Sequence, residues 1–190
     1  MKFNDILKKR HCSRHFKSKD IGEKDLSEIL DSARFSPCAG GIFAIKLIVV
    51  DDKSKKGKIA EACLGQKFVA EAPQIIVVCS DMEPITKSYG SLAGMFARQQ
   101  AGAAIENIFL KTTELGLGTC WIGAFDENPI RRALHLPDKF KVEAILPLGY
   151  EQGKSLIKEK IDLRRIVRFN EWSEKSQPEK GYFPTATSNE

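Results

Sequence analysis

Residues 92–125, LAGMFARQQAGAAIENIFLKTTELGLGTCWIGAF, are the stretch that decides the fold. The pattern predicts a long helix, a stop at Gly116–Gly118, and then a strand over 119–125. The middle of the helix, residues 101–105, has no polar break, so no solvated face is reserved there. Because a helix that is apolar all round is normally buried on all sides, this segment is predicted to be the central core helix.

Gly102 lies in the middle of that helix. A glycine in a helix interior costs about 1 kcal/mol relative to alanine, so its presence suggests a packing reason. Small residues at the waist of the helix allow a second backbone or a flat ring to come close. Two interpretations stay open at this point: a core helix only, or a core helix that also pairs with its own copy in a homodimer.

The rest of the chain alternates short helices with strands. The strand over 74–79, QIIVVC, is almost continuously apolar, so it is predicted to lie inside a sheet that is covered on both faces. Residues 36–41 form a tight loop, and residues 82–91 are predicted to be an irregular connector or a loop over a site. The remaining predicted helices are 2–9, 23–35, 55–63 and 130–136, and the remaining strands are 45–50 and 142–148.

The C-terminal part differs in composition. From residue 151 the chain is polar and basic, with a small apolar island over 166–172 that is too weak to fold alone. It is predicted to be an arm that lies over something, such as a partner subunit. Residues 173–190 are polar, contain two prolines and show no periodicity, so a disordered tail is predicted there.

Length and composition restrict the class of protein. A chain of 190 residues is one domain or one domain with arms, and 42% hydrophobic with 29% charged residues is typical of a soluble globule. No run approaches the roughly 20 apolar residues of a membrane span, and the N-terminus has no apolar signal region. Five scattered cysteines without an export signal indicate reduced thiols in the cytoplasm. The histidines and cysteines show no metal-ligand spacing, so no metal site is expected.

The positive charges fall into two clusters, although the net charge is only +5. Nucleic acid, a phosphorylated small molecule, or simply solvated surfaces would each fit such clusters. Few aromatic residues lie among these cations, and the chain has no recognised nucleic-acid-binding motif. Both observations argue against nucleic acid as the partner. The first cluster is Lys8, Lys9, Arg10, Arg14, Lys17 and Lys19, and the second is Lys154, Lys158, Lys160, Arg164, Arg165 and Arg168.

The motifs of the chain include no recognised catalytic set carried by the protein itself. The chain has no G-x-S-x-G elbow, no H-E-x-x-H and no phosphate-binding Walker loop. Cys12 lies among basic residues that would lower a thiol pKa, so it could be reactive, but no partner with a defined role is near it in sequence. Cation clusters and glycine-rich loops without acid–base residues fit a protein that takes its chemistry from a phosphate-bearing cofactor.

Three segments together carry a family resemblance. RHCSRHF at 10–16, SPCAGG at 36–41, and GLGTCWIGAFD at 116–126, followed by Leu136-Pro137 and PLGY at 147–150, resemble the nitroreductase family in order and spacing. The likeness covers about residues 2–172. It implies an α+β fold with a mainly antiparallel central sheet flanked by helices. It also implies an intertwined homodimer in which residues 1–172 form the FMN-binding domain, with an arm from about 151.

The resemblance also implies a cofactor site, with FMN bound non-covalently between the two subunits. The first motif would contact the flavin phosphate, the ribityl chain and the ring edge. The partner chain would supply the second loop to the ring, and the third motif would run beside the flavin with the Gly123 N–H near the reactive N5. The residues carried over by position are Arg10, His11, Cys12 and Arg14; Pro37, Cys38, Ala39 and Gly41; Ile122, Gly123 and Ala124; and Lys158 and Lys160, which would return to the phosphate.

The activity that the resemblance implies is a two-step, ping-pong oxidoreduction. NAD(P)H would deliver a hydride, and a nitroaromatic, a quinone or a similar acceptor would then take the electrons, with no catalytic side chain involved. An alternative is a flavin-binding protein of the same fold with a specific metabolite substrate or a redox-sensing role. Two departures bear on the acceptor: Gly41-Ile42-Phe43-Ala44-Ile45 replaces the usual Asn-x-Gln-Pro-Trp, and Cys12 replaces the usual Ser.

Overall fold

The computed structural model describes residues 1–153, 157, 159–179 and 182. Its helices and strands alternate along the chain and end with the longest strand. In order they are α1 (Phe3–Lys9), α2 (Glu23–Ala33), β1 (Ile45–Val50), α3 (Lys53–Ala62), α4 (Lys67–Glu71), β2 (Gln74–Asp81), α5 (Met82–Tyr89), α6 (Ala93–Glu114), β3 (Gly118–Thr119), α7 (Glu127–Leu134) and β4 (Phe140–Gly149). Single 3₁₀ turns lie at Ala39–Gly41, Gly90–Leu92, Leu163–Arg165 and Glu174–Ser176.

The strands form one antiparallel sheet in the order β1-β2-β4-β3. Ile45 pairs with Ser80 at one end of β1, and Gln74 pairs with Leu148 where β2 meets β4. The register between β2 and β4 shifts at Val78 and Cys79, which marks a β-bulge. An antiparallel sheet flanked by helices confirms the predicted α+β fold.

Helices cover both faces of the sheet, which explains the continuous apolar run of β2. Successive side chains of a strand point to opposite faces. Ile76 and Val78 pack with α2 and α6 in one core, and Ile75 and Val77 pack with α3, α4 and α7 in the other. All four of these β2 side chains are fully buried, as the sequence predicted for this strand.

The long helix α6 forms as predicted, but one of its sides stays open in a single chain. Its sheet-facing residues, including Ala101, Ile105 and Ile108, are buried, whereas Met95 is 46% exposed. The predicted core segment at 101–105 is confirmed, since Ala101, Ala104 and Ile105 are buried and the two residues between them are half-buried. A Cβ placed on Gly102 would meet only the Trp121 ring, at an ordinary 3.9 Å, so no close approach within this chain requires the glycine.

Two further predictions about local structure are wrong. Residues 82–89 form α5 rather than an irregular loop, because the Asp81 carboxylate accepts a hydrogen bond from the Glu83 N–H (3.2 Å) and Ile85 is buried. The predicted strand 119–125 is reduced to Gly118–Thr119, with a separate bridge between Ile122 and Ile145.

The chain divides into two compact units, Met1–Ile157 and Lys158–Glu190. In the second unit, Asp162 accepts a hydrogen bond from the Arg164 N–H (2.9 Å), and the rings of Phe169 and Tyr182 meet edge-on with centroids 5.2 Å apart. Residues 180, 181 and 183–190 of the predicted tail lie outside the described residues. Within the part of the chain that the structure describes, no helix is both long and apolar enough to cross a membrane.

Candidate functional site

The first motif follows α1 and is held in place by its backbone. The Ser13 N–H donates to the Thr119 carbonyl (2.8 Å), which joins the motif to β3. The Lys17 N–H donates to the Tyr150 carbonyl (2.8 Å), and the Gln152 N–H donates to the His15 carbonyl (3.0 Å). These bonds attach the motif to β3 and to the segment that follows β4, so its side chains are presented from a fixed backbone.

A partly buried polar cluster, formed by His11, Ser13 and Glu151, joins side chains of the motif to the segment after β4. The Ser13 hydroxyl donates to Glu151 Oε1 (2.6 Å), and His11 Nε2–H donates to the same oxygen (2.7 Å). His11 Nδ1–H donates to the Lys9 carbonyl (2.6 Å). Both partners of the imidazole are acceptors, so the doubly protonated form is favoured. Burial works against that charge, but the Lys9 carbonyl and the Glu151 carboxylate outweigh it and raise the His11 pKa above its usual value.

Two guanidinium groups flank the motif. Arg10 Nε lies 3.6 Å from Glu106 Oε1 on α6, and its guanidinium lies 5.7 Å from the centroid of the Phe109 ring. The Arg14 guanidinium lies 6.0 Å from the centroid of the Phe68 ring. Aromatic faces hold both cations by a cation–π attraction that leaves their N–H groups available for an anion.

The thiol of Cys12 lies between these two cations. A hydrogen bond from the Cys120 thiol is the main influence that lowers the Cys12 pKa to about 5; burial opposes it, while the Trp121 N–H and the charges of Arg10 and Arg14 add to it. Cys12 is exposed, so this sulfur is an accessible thiolate at neutral pH. Cys120 is buried, and its hydrogen bond to Cys12 together with burial raises its pKa.

The third motif presents a short piece of backbone to solvent. Ile122 is buried and exchanges two hydrogen bonds with Ile145, of 3.0 and 3.1 Å. The Asp126 N–H donates to the Ala62 carbonyl (2.9 Å). Between these two anchors, Gly123 and Ala124 are exposed. This backbone is therefore held rigidly at both ends and remains accessible to a ligand.

The second loop is shaped by two glycines with left-handed backbone. Gly40 has φ +56°, and a Cβ there would collide with the Tyr89 hydroxyl; Gly41 has φ +74°. After the loop, the Ala44 N–H donates to Gln100 Oε1 on α6 (3.0 Å). Pro37 and Gly41 are exposed, and Cys38 and Ala39 are half-buried.

Helix α6 determines which motifs of one chain can meet. Gly102 lies under Trp121 and Glu106 pairs with Arg10, and positions four residues apart differ by only about 40° around a helix. The first and third motifs therefore lie along one side of α6. Gln100, which anchors the second loop, lies about 200° from Gly102, on the opposite side. The structure thus brings together two of the three predicted motifs of one chain.

The structure describes only one residue of the predicted late basic pair, Lys158 and Lys160. Lys158 lies outside the described residues, and Lys160 is exposed in the second unit. The assignment of either lysine to a phosphate therefore stays a prediction.

The sequence did not reveal five residues that organise the site. Ser13 and Glu151 are separated by 138 positions along the chain, so no local pattern connects them. The predicted strand 119–125 contained Cys120 and Trp121, and the predicted core helix contained Gln100, so neither segment signalled a role in the site. The only signal for Cys120 was its position in the third motif.

Comparison with known proteins agrees with this geometry. The family model described as the nitroreductase family matches residues 7–69 and 63–150, and this chain therefore belongs to that family. A crystal structure of a nitroreductase family protein from Clostridium novyi NT is 32% identical, with a TM-score of 0.74 over 80% of this chain and 86% of that one.

Two curated relatives extend the comparison. An NADH dehydrogenase of Thermus thermophilus is 26% identical over 188 residues, covering 84% of this chain and 91% of that protein. An FMN reductase [NAD(P)H] of Bacillus subtilis is 24% identical over 177 residues, covering 83% and 70%.

Proposed function

We propose that this protein is an NAD(P)H-dependent oxidoreductase that binds FMN and reduces a nitroaromatic, a quinone or a similar acceptor. The observation that carries the proposal is that Arg10, through Glu106, and Trp121, through Gly102, lie along one side of α6, with the exposed backbone of Gly123 and Ala124 directly after Trp121. Family membership and the names of the two curated relatives support it. When bound, FMN would take a hydride from NAD(P)H and pass two electrons to the acceptor after the oxidised nicotinamide has left.

The residues present fit the phosphate end of FMN. Arg10 meets its nearest carboxylate at 3.6 Å, longer than a close charge-assisted hydrogen bond, so its N–H groups can turn to a phosphate. Arg14 is exposed beside it. Burial lowers the His11 pKa, but the Lys9 carbonyl and the Glu151 carboxylate raise it above its usual value, which favours a positive charge in the same segment.

The residues present also fit the ring of FMN. The exposed Gly123 and Ala124 can donate backbone N–H groups without a side chain in the way. Trp121 is 42% exposed and offers a flat apolar face beside them. The protein would contribute binding and orientation, with hydrogen-bond donors fixed in advance at the ring edge.

A homodimer would complete this site. Ala44, which follows the loop at 37–41, is anchored on the opposite side of α6 from Arg10 and Trp121, and this placement supports a second chain as the source of the loop. A groove of about 580 Å³ between α1, α2 and α6 is open in a single chain, and both apolar and charged side chains line it. Met95, on the side of α6 that carries Gly102, is 46% exposed, and exposed apolar surface marks interaction sites. We propose that two copies pack along this side of α6.

Substitution of Gly102 tests the dimer. Within one chain, Gly102→Ala should stabilise α6 by about 1 kcal/mol, because the added Cβ meets only Trp121 at 3.9 Å. In the proposed dimer the same methyl group meets the second chain, and we expect dimer dissociation at protein concentrations where the wild type is dimeric. Analytical ultracentrifugation measures this. The matched control is Gly57→Ala in α3, where no atom lies within 4 Å of the new Cβ. A Gly102→Ala protein that is dimeric and more stable would contradict packing at this position.

Substitution of the two arginines tests the cofactor assignment. Arg10→Ala and Arg14→Ala should each raise the Kd for FMN by about 10- to 100-fold, because each removes a charge-assisted contact worth about 1.5–3 kcal/mol. Quenching of flavin fluorescence measures the affinity. Arg132→Ala, at an exposed position of α7, is the control and should leave the Kd unchanged. Unchanged affinity in both test variants would refute the phosphate role.

The activity itself needs a separate assay. The purified protein should be yellow, or should become so when FMN is added. It should oxidise NADH or NADPH faster when menadione or nitrofurazone is present. A colourless protein that takes up no FMN would end the flavin proposal. A yellow protein that turns over no member of a quinone and nitroaromatic panel would limit the proposal to a narrower acceptor.

A further inference from the structure

We propose that Cys12 and Cys120 form a redox-active thiol pair that a hydroperoxide oxidises to an intramolecular disulfide and a small thiol restores. The inference goes beyond the proposed oxidoreductase activity and does not require bound FMN.

The backbone holds the two cysteines against each other. The Ser13 N–H donates to the Thr119 carbonyl at 2.8 Å, which joins the residues immediately next to each cysteine. The two thiols lie near enough for each to shift the pKa of the other. A disulfide requires Cβ atoms about 3.5–4.5 Å apart and favourable side-chain directions. Because the backbone bond joins the neighbouring residues at 2.8 Å, rotation of the two side chains can bring the sulfurs together.

The two cysteines differ in the same way as the attacking thiol and the resolving thiol of a redox pair. Cys12 is exposed and lies between Arg10 and Arg14, whose positive charges favour the thiolate. Cys120 is 2% exposed and keeps its proton, since burial and the neighbouring Cys12 both raise its pKa. Where no ligand covers the first motif, a peroxide from solvent therefore meets Cys12 first and does not reach Cys120 directly.

The other buried cysteines lack these features. Burial raises the pKa of Cys63 to about 11, and burial together with nearby carboxylates raises that of Cys79 to about 12. Both are predominantly protonated at neutral pH and shielded from solvent. Oxidation is therefore expected to select the pair at the first and third motifs.

The reaction balances in two steps. The Cys12 thiolate attacks one peroxide oxygen, the O–O bond breaks, and Cys12 keeps one oxygen as a sulfenic acid while the other takes a proton from solvent and leaves as an alcohol or water. The Cys120 sulfur then attacks the Cys12 sulfur, an S–S bond forms, and the S–O bond breaks. The hydroxyl group leaves with the Cys120 proton as water, so the two cysteines together lose two electrons to the peroxide. Two molecules of a small thiol reverse the process by exchange and leave as their own disulfide.

Mass spectrometry of the full-length chain tests the proposal. The protein is treated with a small excess of hydrogen peroxide at pH 7, its free thiols are blocked with N-ethylmaleimide, and it is digested. The wild type should lose two free thiols per chain and yield one peptide pair linked through Cys12 and Cys120, and dithiothreitol should remove the link. Cys120→Ser should instead accumulate a sulfenic acid on Cys12 that dimedone traps. Cys38→Ser, the matched control, should behave as the wild type.

Three results would overturn the proposal. The first is trapping of the Cys12 sulfenic acid by dimedone in the wild type to the same extent as in Cys120→Ser, without any linked peptide. The second is a disulfide that joins two chains. The third is a set of thiols that all survive peroxide under conditions that oxidise free cysteine. If Cys120→Ser does not fold, the peptide map of the wild type decides the question alone. Because none of these measurements involves flavin, failure of the FMN proposal would leave this one standing.

Discussion

Gly118→Ala is expected to lower the free energy of unfolding by about 2–3 kcal/mol and to disturb the candidate site with it. A Cβ at this position would collide with the Ser13 hydroxyl and lie only 2.7 Å from both Ser13 Cβ and Glu151 Cγ. Ser13 is completely buried, so it has no space into which to move. The new methyl group must therefore push the first motif away from β3. Urea denaturation followed by circular dichroism measures the loss.

A matched glycine controls for the general effect of adding a methyl group. Gly22 has ordinary extended backbone, and no atom lies within 4 Å of a Cβ placed there. Because Gly22 is the N-cap of α2 and alanine is a poorer cap than glycine, Gly22→Ala should cost less than about 1 kcal/mol. If Gly118→Ala unfolded at the same urea concentration as Gly22→Ala, the close packing of β3 against the first motif would be disproved.

Glu151→Ala should cost about 2 kcal/mol of stability, because the buried Ser13 hydroxyl and the His11 imidazole both lose the oxygen to which they donate. It should also weaken FMN binding, since His11 and the backbone of the first motif lose their common support. Glu114→Ala is the control, because Glu114 pairs with Lys111 at the surface and should matter by less than about 1 kcal/mol. A Glu151→Ala protein as stable as Glu114→Ala would show that the cluster has no structural role.

The same cluster predicts how stability depends on pH. The folded-state pKa of His11 is raised above the ordinary 6.5, so protonation of His11 is tighter in the folded state. Its contribution to stability is fully present below about pH 6.5 and is lost as the pH rises through the raised folded value. Glu151→Gln keeps an acceptor for Ser13 but removes the negative charge, so the loss of stability above pH 6.5 should become smaller. Unfolding curves at pH 6 and pH 9 compare the two proteins.

Much of the fold was predictable because its elements carry local patterns. The apolar run of β2 signalled a strand covered on both faces, and α6 was evident from its length and composition. Helix α5 was missed because residues 82–89 are mostly polar, and what orders them is the cap from Asp81 and the packing of Tyr89 against Phe96, with ring centroids 4.8 Å apart. The cap is local, but the packing partner belongs to the next helix.

The candidate site was predictable only in part, for a physical reason. The first and third motifs were identified by their resemblance to a family, and the structure brings them together along α6. The Glu151 carboxylate that supports the first motif, and the contact between Cys12 and Cys120, depend on how distant segments pack. No spacing within a segment reports such contacts. The split of the site between the two sides of α6 is likewise a property of the packed helix.

That split has a genetic consequence under the proposed pairing of two chains. Each ring site would draw Arg10 and Gly123 from one subunit and the loop at 37–41 from the other. A chain with a defective loop would then leave its own arginines usable and spoil the site of its neighbour. When a chain with a defective loop pairs with a chain that lacks Arg10, one of the two sites contains both defects and the other contains neither. Co-expression of two inactive alleles would therefore restore activity at one site of each mixed dimer.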